Sequence, residues 1–100
     1  MPFQLREYTV KPGEMEAWLK EWRAKIVPLR EKFGFHVVGA WTVHGAEERF
    51  VRIIRYDGPK SWQEADAEYY SSAERKAIDP DPARHLDDTK ARLMTEVGQD

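Results

Sequence analysis

From Gly13 onward, Met15, Trp18, Leu19, Trp22, Ile26, Leu29 and Phe33 recur at helical spacing. At 100° per residue all seven fall within an arc of about 100°, the signature of a one-sided amphipathic helix. Its outer face carries Glu16 four residues before Lys20 and Glu21 four before Lys25, both in the favourable order. Pro28 lacks an N–H and clashes one turn back, which predicts a bend near Ala24 to Pro28. Ahead of this helix, Phe3 to Val10 is a β-rich run closed by Lys11-Pro12-Gly13, the first strand. Gly34 stops the helix, and Phe35 to His44, rich in Val, Thr and Trp, reads as the second strand. A hairpin connection at Gly45-Ala46-Glu47-Glu48 leads to a third strand, Arg49 to Tyr56. There Phe50, Val51, Ile53, Ile54 and Tyr56 place apolar side chains on both faces, which predicts a central strand covered on both sides. Asp57-Gly58-Pro59 turns the chain, and Ser61 with Glu64 forms a capping box that opens a second helix to about Lys76. Asp79-Pro80-Asp81-Pro82 breaks that helix. Asp81 as N-cap and Pro82 at the first helical position start a short third helix through about Asp88. Thr89 to Val97 alternates apolar and polar residues as a partly covered final strand.

The order β-α-β-β-α-β defines an α+β, ferredoxin-like fold, in which helices cover one face of a four-stranded antiparallel sheet. The other face is left bare. Because monomers rarely expose large apolar patches, the two-sided third strand predicts a homodimer that packs these faces together. The length of 100 residues suits one domain spanning 1–100, and 41% hydrophobic residues supply a core despite 34% charged ones. A formal net charge of −2 lacks the basic excess of nucleic-acid binders. No apolar run approaches the roughly 20 residues of a membrane helix, and no cationic segment followed by an apolar one opens the chain. With no cysteine, thiolate and Cys-based metal chemistry are excluded, and a cytoplasmic location is the expectation. The chain has no G-x-G-x-x-G, G-x-x-x-x-G-K, G-x-S-x-G or H-E-x-x-H motif.

Three segments, Leu5-Arg6-Glu7-Tyr8-Thr9-Val10-Lys11-Pro12-Gly13, Val38-Gly39-Ala40-Trp41-Thr42 and Ile54-Arg55-Tyr56-Asp57, resemble the NIPSNAP family in order and spacing. The resemblance covers roughly residues 3 to 97, although a proline-bearing tail associated with the family is replaced by Thr95-Glu96-Val97-Gly98-Gln99-Asp100. It implies a dimeric α+β barrel, in which two ferredoxin-like sheets pack back to back. Relatives in that wider superfamily include cofactor-free monooxygenases, isomerases, cyclases and haem-binding enzymes. By analogy it implies action on a small, aromatic organic molecule without a tightly bound cofactor, through proton transfer, isomerisation, cyclisation or oxygenation. The alternative is a non-catalytic homodimeric binding or interaction module.

Residue chemistry narrows where such a reaction would sit. The inward stripe of the second helix, Trp62, Ala65, Tyr69 and Ala73, is small beside that of the first, so a ligand cavity is expected beneath it. Asp66, at the stripe's margin, is a candidate to orient a substrate hydroxyl or act as general base; otherwise it is a solvated charge near a helix N-terminus. Arg52, mid-strand between Phe50 and Ile54, needs an anion. That anion is either a substrate carboxylate or enolate, Asp66, or an acidic residue across the dimer. His44, at a strand end beside Gly45, is a candidate base at a pocket mouth or a solvated hairpin residue. Tyr8, Trp41, Tyr56, Tyr69 and Tyr70 are numerous enough to line a pocket, though such aromatics also build cores. His36 and His44, eight residues apart on one strand, are separated by roughly 26 Å and cannot share a metal. His85 alone is helical, which leaves too few ligands for zinc and one proximal candidate for haem. No metal or cofactor is therefore expected.

Overall fold

The structure, a computed structural model, describes residues 2–98. Strand β1 (Pro2–Val10) leads into one continuous helix, α1, over residues 15–32. That helix has three consecutive pieces: Met15–Glu21 and Val27–Lys32 are α-helical, and Trp22–Ile26 between them is wound as a π-helix. The bend expected near Pro28 is realised as this wider turn. The ring of Pro28 removes one donor and crowds the preceding turn, and the π segment adds a residue so that Val27 N–H reaches back to Trp22 O. The extra residue also rotates the last turns of the helix, so Arg30, which the unbroken period leaves off the apolar stripe, is buried beside Leu29. Gly34, at φ 89°, ends the helix in the left-handed conformation that a side chain disfavours.

Strand β2 (Phe35–Val43) meets β3 (Ala46–Tyr56) through His44 and Gly45 alone, with Gly45 at φ 80°. The turn is thus two residues long, and Ala46, Glu47 and Glu48 belong to the strand rather than to the connection. Helix α2 (Trp62–Ser71) starts at Ser61, whose Oγ accepts from Glu64 N–H as the capping box requires. It stops earlier than the pattern suggests. Ser72 turns extended, donates its hydroxyl to Tyr69 O at 2.7 Å and caps a separate short helix, α3 (Ala73–Lys76). The third helix expected to run through Asp88 is a 3-10 turn, Pro82–His85, capped by Asp81, and β4 (Leu86–Thr95) begins directly after it.

The strands form one antiparallel sheet in the order β2-β3-β1-β4, the α+β ferredoxin-like topology. Gln4, Tyr8 and Val10 of β1 and Phe50, Arg52, Ile54 and Tyr56 of β3 are buried on the face that the helices cover. On the other face Phe3, Leu5, Val51, Ile53 and Met94 remain half-exposed. β3 is central in the sheet, but within one chain only one of its faces is covered. Among the described residues no helix is long and apolar enough to cross a membrane.

Candidate active site

Two aromatic clusters hold the helices to the sheet. One joins Phe35, Ile54 and Tyr56 of the sheet to Trp62, Ala65 and Tyr69 of α2. The other joins Tyr8, Val10 and Phe50 to Trp18 and Trp22 of α1, with the Trp22 and Phe50 rings 5.0 Å apart and edge to face. Between the clusters lies a cavity of about 220 Å³. It is walled by α1, by the inner faces of the sheet, by Tyr69 and Tyr70 at the end of α2 with Arg75 of α3, and by the chain around Pro82.

This position corrects the expectation of a void beneath the small residues of α2. Phe35, Tyr56 and Trp62 fill the space left by Ala65, with Phe35 and Trp62 centroids 5.2 Å apart. Ala73 begins α3 and is exposed. Of the residues singled out from sequence, Arg52, Tyr8, Tyr69 and Tyr70 line the cavity. Tyr56, Trp62 and Ala65 form its neighbouring core, and the Tyr56 hydroxyl accepts from Lys60 N–H. Trp41 is half-exposed and folds over Gly39, and His44 sits exposed in the hairpin turn. The structure therefore does not bring His44 or Trp41 to Arg52.

Asp66 has a different partner from the one expected. Its Oδ1 accepts from Arg30 Nη1 at 2.9 Å, so the carboxylate is taken up by α1 and not by Arg52. Arg30 is 4% exposed and sits over the Tyr69 ring, its guanidinium carbon 3.8 Å from the centroid. Its other amino group donates to the Tyr70 hydroxyl at 3.2 Å, and Arg6 Nη1 donates to the same oxygen at 2.8 Å. Two guanidinium donors thus occupy the acceptor positions of one phenol and leave its proton free to donate. Burial pushes the Tyr70 hydroxyl up, but Arg30 and Arg6 outweigh it and hold its pKa below the usual tyrosine range. Tyr69 moves the other way: burial raises it more than Arg30 and Arg75 lower it.

Arg6, Arg30, Arg52 and Arg75 all line the cavity. Arg75 pairs with Asp81 at 2.9 Å, and Arg30 pairs with Asp66. Arg52 forms no ion pair among the described residues; its Nη1 donates to Gln4 O at 3.4 Å. Burial, reinforced by the charges of Arg6 and Arg30, lowers its pKa. Arg6, Arg30 and Arg75 were not among the residues expected here, and Tyr70 was expected only as one aromatic of several. Arg6 was within reach of pattern reading, because Gln4, Arg6, Tyr8 and Val10 alternate on one face of β1. Arg30 was not, since only the π turn rotates it inward. Among the described residues no three His, Asp or Glu side chains gather as a metal site.

His85 lies outside the cavity. Its Nδ1 is 2.7 Å from Glu14 Oε1 and its Nε2 2.8 Å from Glu21 Oε2, so both ring nitrogens donate only when the ring is protonated. The bonds to Glu21 and Glu14 raise its pKa. Arg84 grips Glu21 with two bonds of 2.8 Å, which ties the turn over the cavity to α1.

A four-stranded ferredoxin-like sheet with a cationic, aromatic cavity beneath its helices defines the class of protein. The chain belongs to the NIPSNAP family, whose model matches residues 3–98. No curated protein matches it in sequence. A NIPSNAP domain protein from Burkholderia xenovorans has a similar structure, with TM-score 0.85 and 16% identity, covering 99% of this chain and 97% of that one. A NIPSNAP family protein from Agrobacterium tumefaciens superposes with TM-score 0.85 at 17% identity, over 100% of this chain and 91% of the other. An antibiotic biosynthesis monooxygenase shares the fold at TM-score 0.70 and 16% identity, covering 98% of this chain and 100% of its own. At such identities the likeness is one of fold.

Proposed function

We propose that this protein is a cofactor-free enzyme of small, aromatic organic molecules, acting by proton transfer in the cavity beneath α1, and that it works as a homodimer. The observation that carries the reading is the Tyr70 hydroxyl, held between Arg6 and Arg30 at the wall of a partly open cavity. A phenol whose ionised form is favoured by two cations ionises more readily than an ordinary tyrosine; its phenolate serves as a base and, once protonated, as an acid. In an isomerisation, the Tyr70 phenolate takes a proton from an acidic C–H of the bound molecule. The C–H electron pair moves onto a neighbouring carbonyl oxygen beside the arginines, and the proton returns to another carbon. With dioxygen as co-substrate, the same carbanion would form a C–O bond to give a hydroperoxide, which loses water across the remaining C–H, so that one oxygen stays as a carbonyl and the other leaves as water. Monooxygenation is the activity named for the monooxygenase that shares this fold. Asp66, neutralised by Arg30, then orients that arginine and is not itself the base.

A non-catalytic binding module is the second reading, favoured by that same Asp66–Arg30 pair, which removes one titratable group from play. Ultraviolet titration of the wild type and Tyr70→Phe separates the two. The enzyme reading expects one tyrosine that ionises below pH 10 and disappears in the variant. It also expects solvent deuterium to enter the acidic C–H positions of aromatic ketones and keto acids, followed by NMR, with a loss of about a hundredfold or more in Tyr70→Phe. An ordinary Tyr70 and no accelerated exchange leave the module.

A further inference from the structure

We propose that the molecule held in this cavity is a small aromatic carboxylate, with its carboxylate group seated between Arg52 and Arg6. This deepens the function proposed above and rests on it, adding the charge and class of the ligand.

Arg52 is 3% exposed, yet among the described residues it has no anion and only a long bond to Gln4 O. The sheet register sets Arg6 directly opposite it, Arg6↔Arg52, so the two side chains leave neighbouring strands on the same face. Like charges placed across a strand pair repel, and a buried unpaired guanidinium is unfavourable besides. The aspartates paired with the cavity's other arginines cannot relieve this, because Asp66 is held by Arg30 and Asp81 by Arg75. Among the described residues Arg52 is left with no anion, and Arg6 has the Tyr70 oxygen alone, its Nε unpaired.

The unpaired groups of the cavity's lining point to the same kind of ligand; Gln4 Oε1, also buried and unpaired, is not part of that lining. Arg6 Nε, Arg75 Nε, Trp18 Nε1 and the Tyr69 hydroxyl are buried without partners, and all four residues line the cavity. The three nitrogens are donors and the hydroxyl carries a donor proton, so the site asks for acceptors. A carboxylate offers two oxygens to guanidinium forks and is bound more strongly than any neutral acceptor. The walls specify the rest: Tyr8, Trp18, Trp22 and Tyr69 are aromatic. A cavity of about 150 Å³ holds a benzene ring. The 220 Å³ here leaves room for the ring and an acidic substituent.

Calorimetric titration of the full-length protein with benzoate and salicylate, against benzamide and salicylamide as neutral counterparts and inorganic phosphate as a ring-free anion, tests this. Carboxylates should bind at least about tenfold tighter than the amides and tighter than phosphate. Arg52→Met should erase that preference while leaving the ligand-free unfolding temperature unchanged or raised, since an apolar chain replaces a lone buried charge. Arg6→Met should weaken carboxylate binding in the same sense. Amides that bind as tightly as carboxylates overturn the charge assignment and leave the proposed enzyme standing. Phosphate that binds as tightly as benzoate overturns the aromatic part, and binding by none of the probes overturns this inference, while the function it rests on stands or falls by the Tyr70 titration and the deuterium exchange. The wild-type comparison decides the matter even where a variant fails to fold.

Discussion

A single side chain, His85, shows how much of the cavity's shape depends on charge state. With Glu14 at one ring nitrogen and Glu21 at the other, the imidazolium anchors the turn that carries Pro82 and Ala83 over the cavity. Its pKa is raised in the folded protein, so the native state holds its proton more firmly than the unfolded chain does. The stabilisation is therefore fully present below the unfolded value of 6.5 and is lost as pH rises through the raised native value. Glu21 adds the opposite limb: bonded to Arg84 and then to His85, its carboxyl lies below the usual range, and its contribution fades as pH falls through that depressed value. Chemical denaturation of the wild type and His85→Gln across pH 5 to 9 should show the gap between them closing on the alkaline side. A constant gap would mean that the ring packs the turn without using its charge.

Helix α1 illustrates the limit of reading a periodic pattern through an imperfection. Up to Trp22 the stripe behaves as the sequence suggests: Trp18 and Trp22 are buried, and Lys20 points to solvent. Beyond it the π segment changes the phase, and Val27 and Arg30 join the inner face. A change at Trp22 should therefore be much more damaging than one at Lys20. Truncating a buried Trp to Ala costs about 3 to 5 kcal/mol, a large part of a typical stability of about 5 to 15 kcal/mol, whereas exposed Lys20→Ala falls within about 0.5 kcal/mol. Urea midpoints of the two variants measure this, and similar midpoints would show that Trp22 does not face Phe50. The second helix misleads for a related reason. Small side chains leave a void only where nothing larger reaches across, and Trp62, Phe35 and Tyr56 do reach across.

The sheet as an assembled unit leaves one face without cover. Phe3, Leu5, Val51 and Ile53 on its central strands, with Trp41 beside them on β2, form an apolar surface edged by Arg49 and Arg55. Monomeric proteins seldom expose such a surface, and the homodimer proposed above would cover it with a second copy of the same face under two-fold symmetry. Light scattering after size exclusion should report about 23 kDa, twice the 11.7 kDa chain, with an interface above roughly 1,000 Å². Ile53→Lys should shift the mass to that of one chain, because a charge on each copy would face the other across the contact. A monomeric wild type would refute the dimer.

Element order, strand faces and the amphipathic first helix were legible in the chain because they follow from local periodicity, glycine and proline punctuation, and capping residues such as Ser61 and Asp81. Those signals act within one or two turns of the backbone. The site was legible only in fragments: Arg52 was recognised as a buried charge in need of an anion, and Tyr8, Tyr69 and Tyr70 as candidate pocket aromatics. Whether Asp66 meets Arg52 or Arg30 depends on how α1 and α2 lean together, 36 residues apart in sequence. Arg6 faces Arg52 because the register of β1 on β3 joins two distant parts of the chain. The Tyr70 phenol acquires its two guanidinium donors from β1 and α1, elements that local pattern cannot bring together. Charge pairing is a property of distances in space, and it was the packing of the helices on the sheet that set those distances.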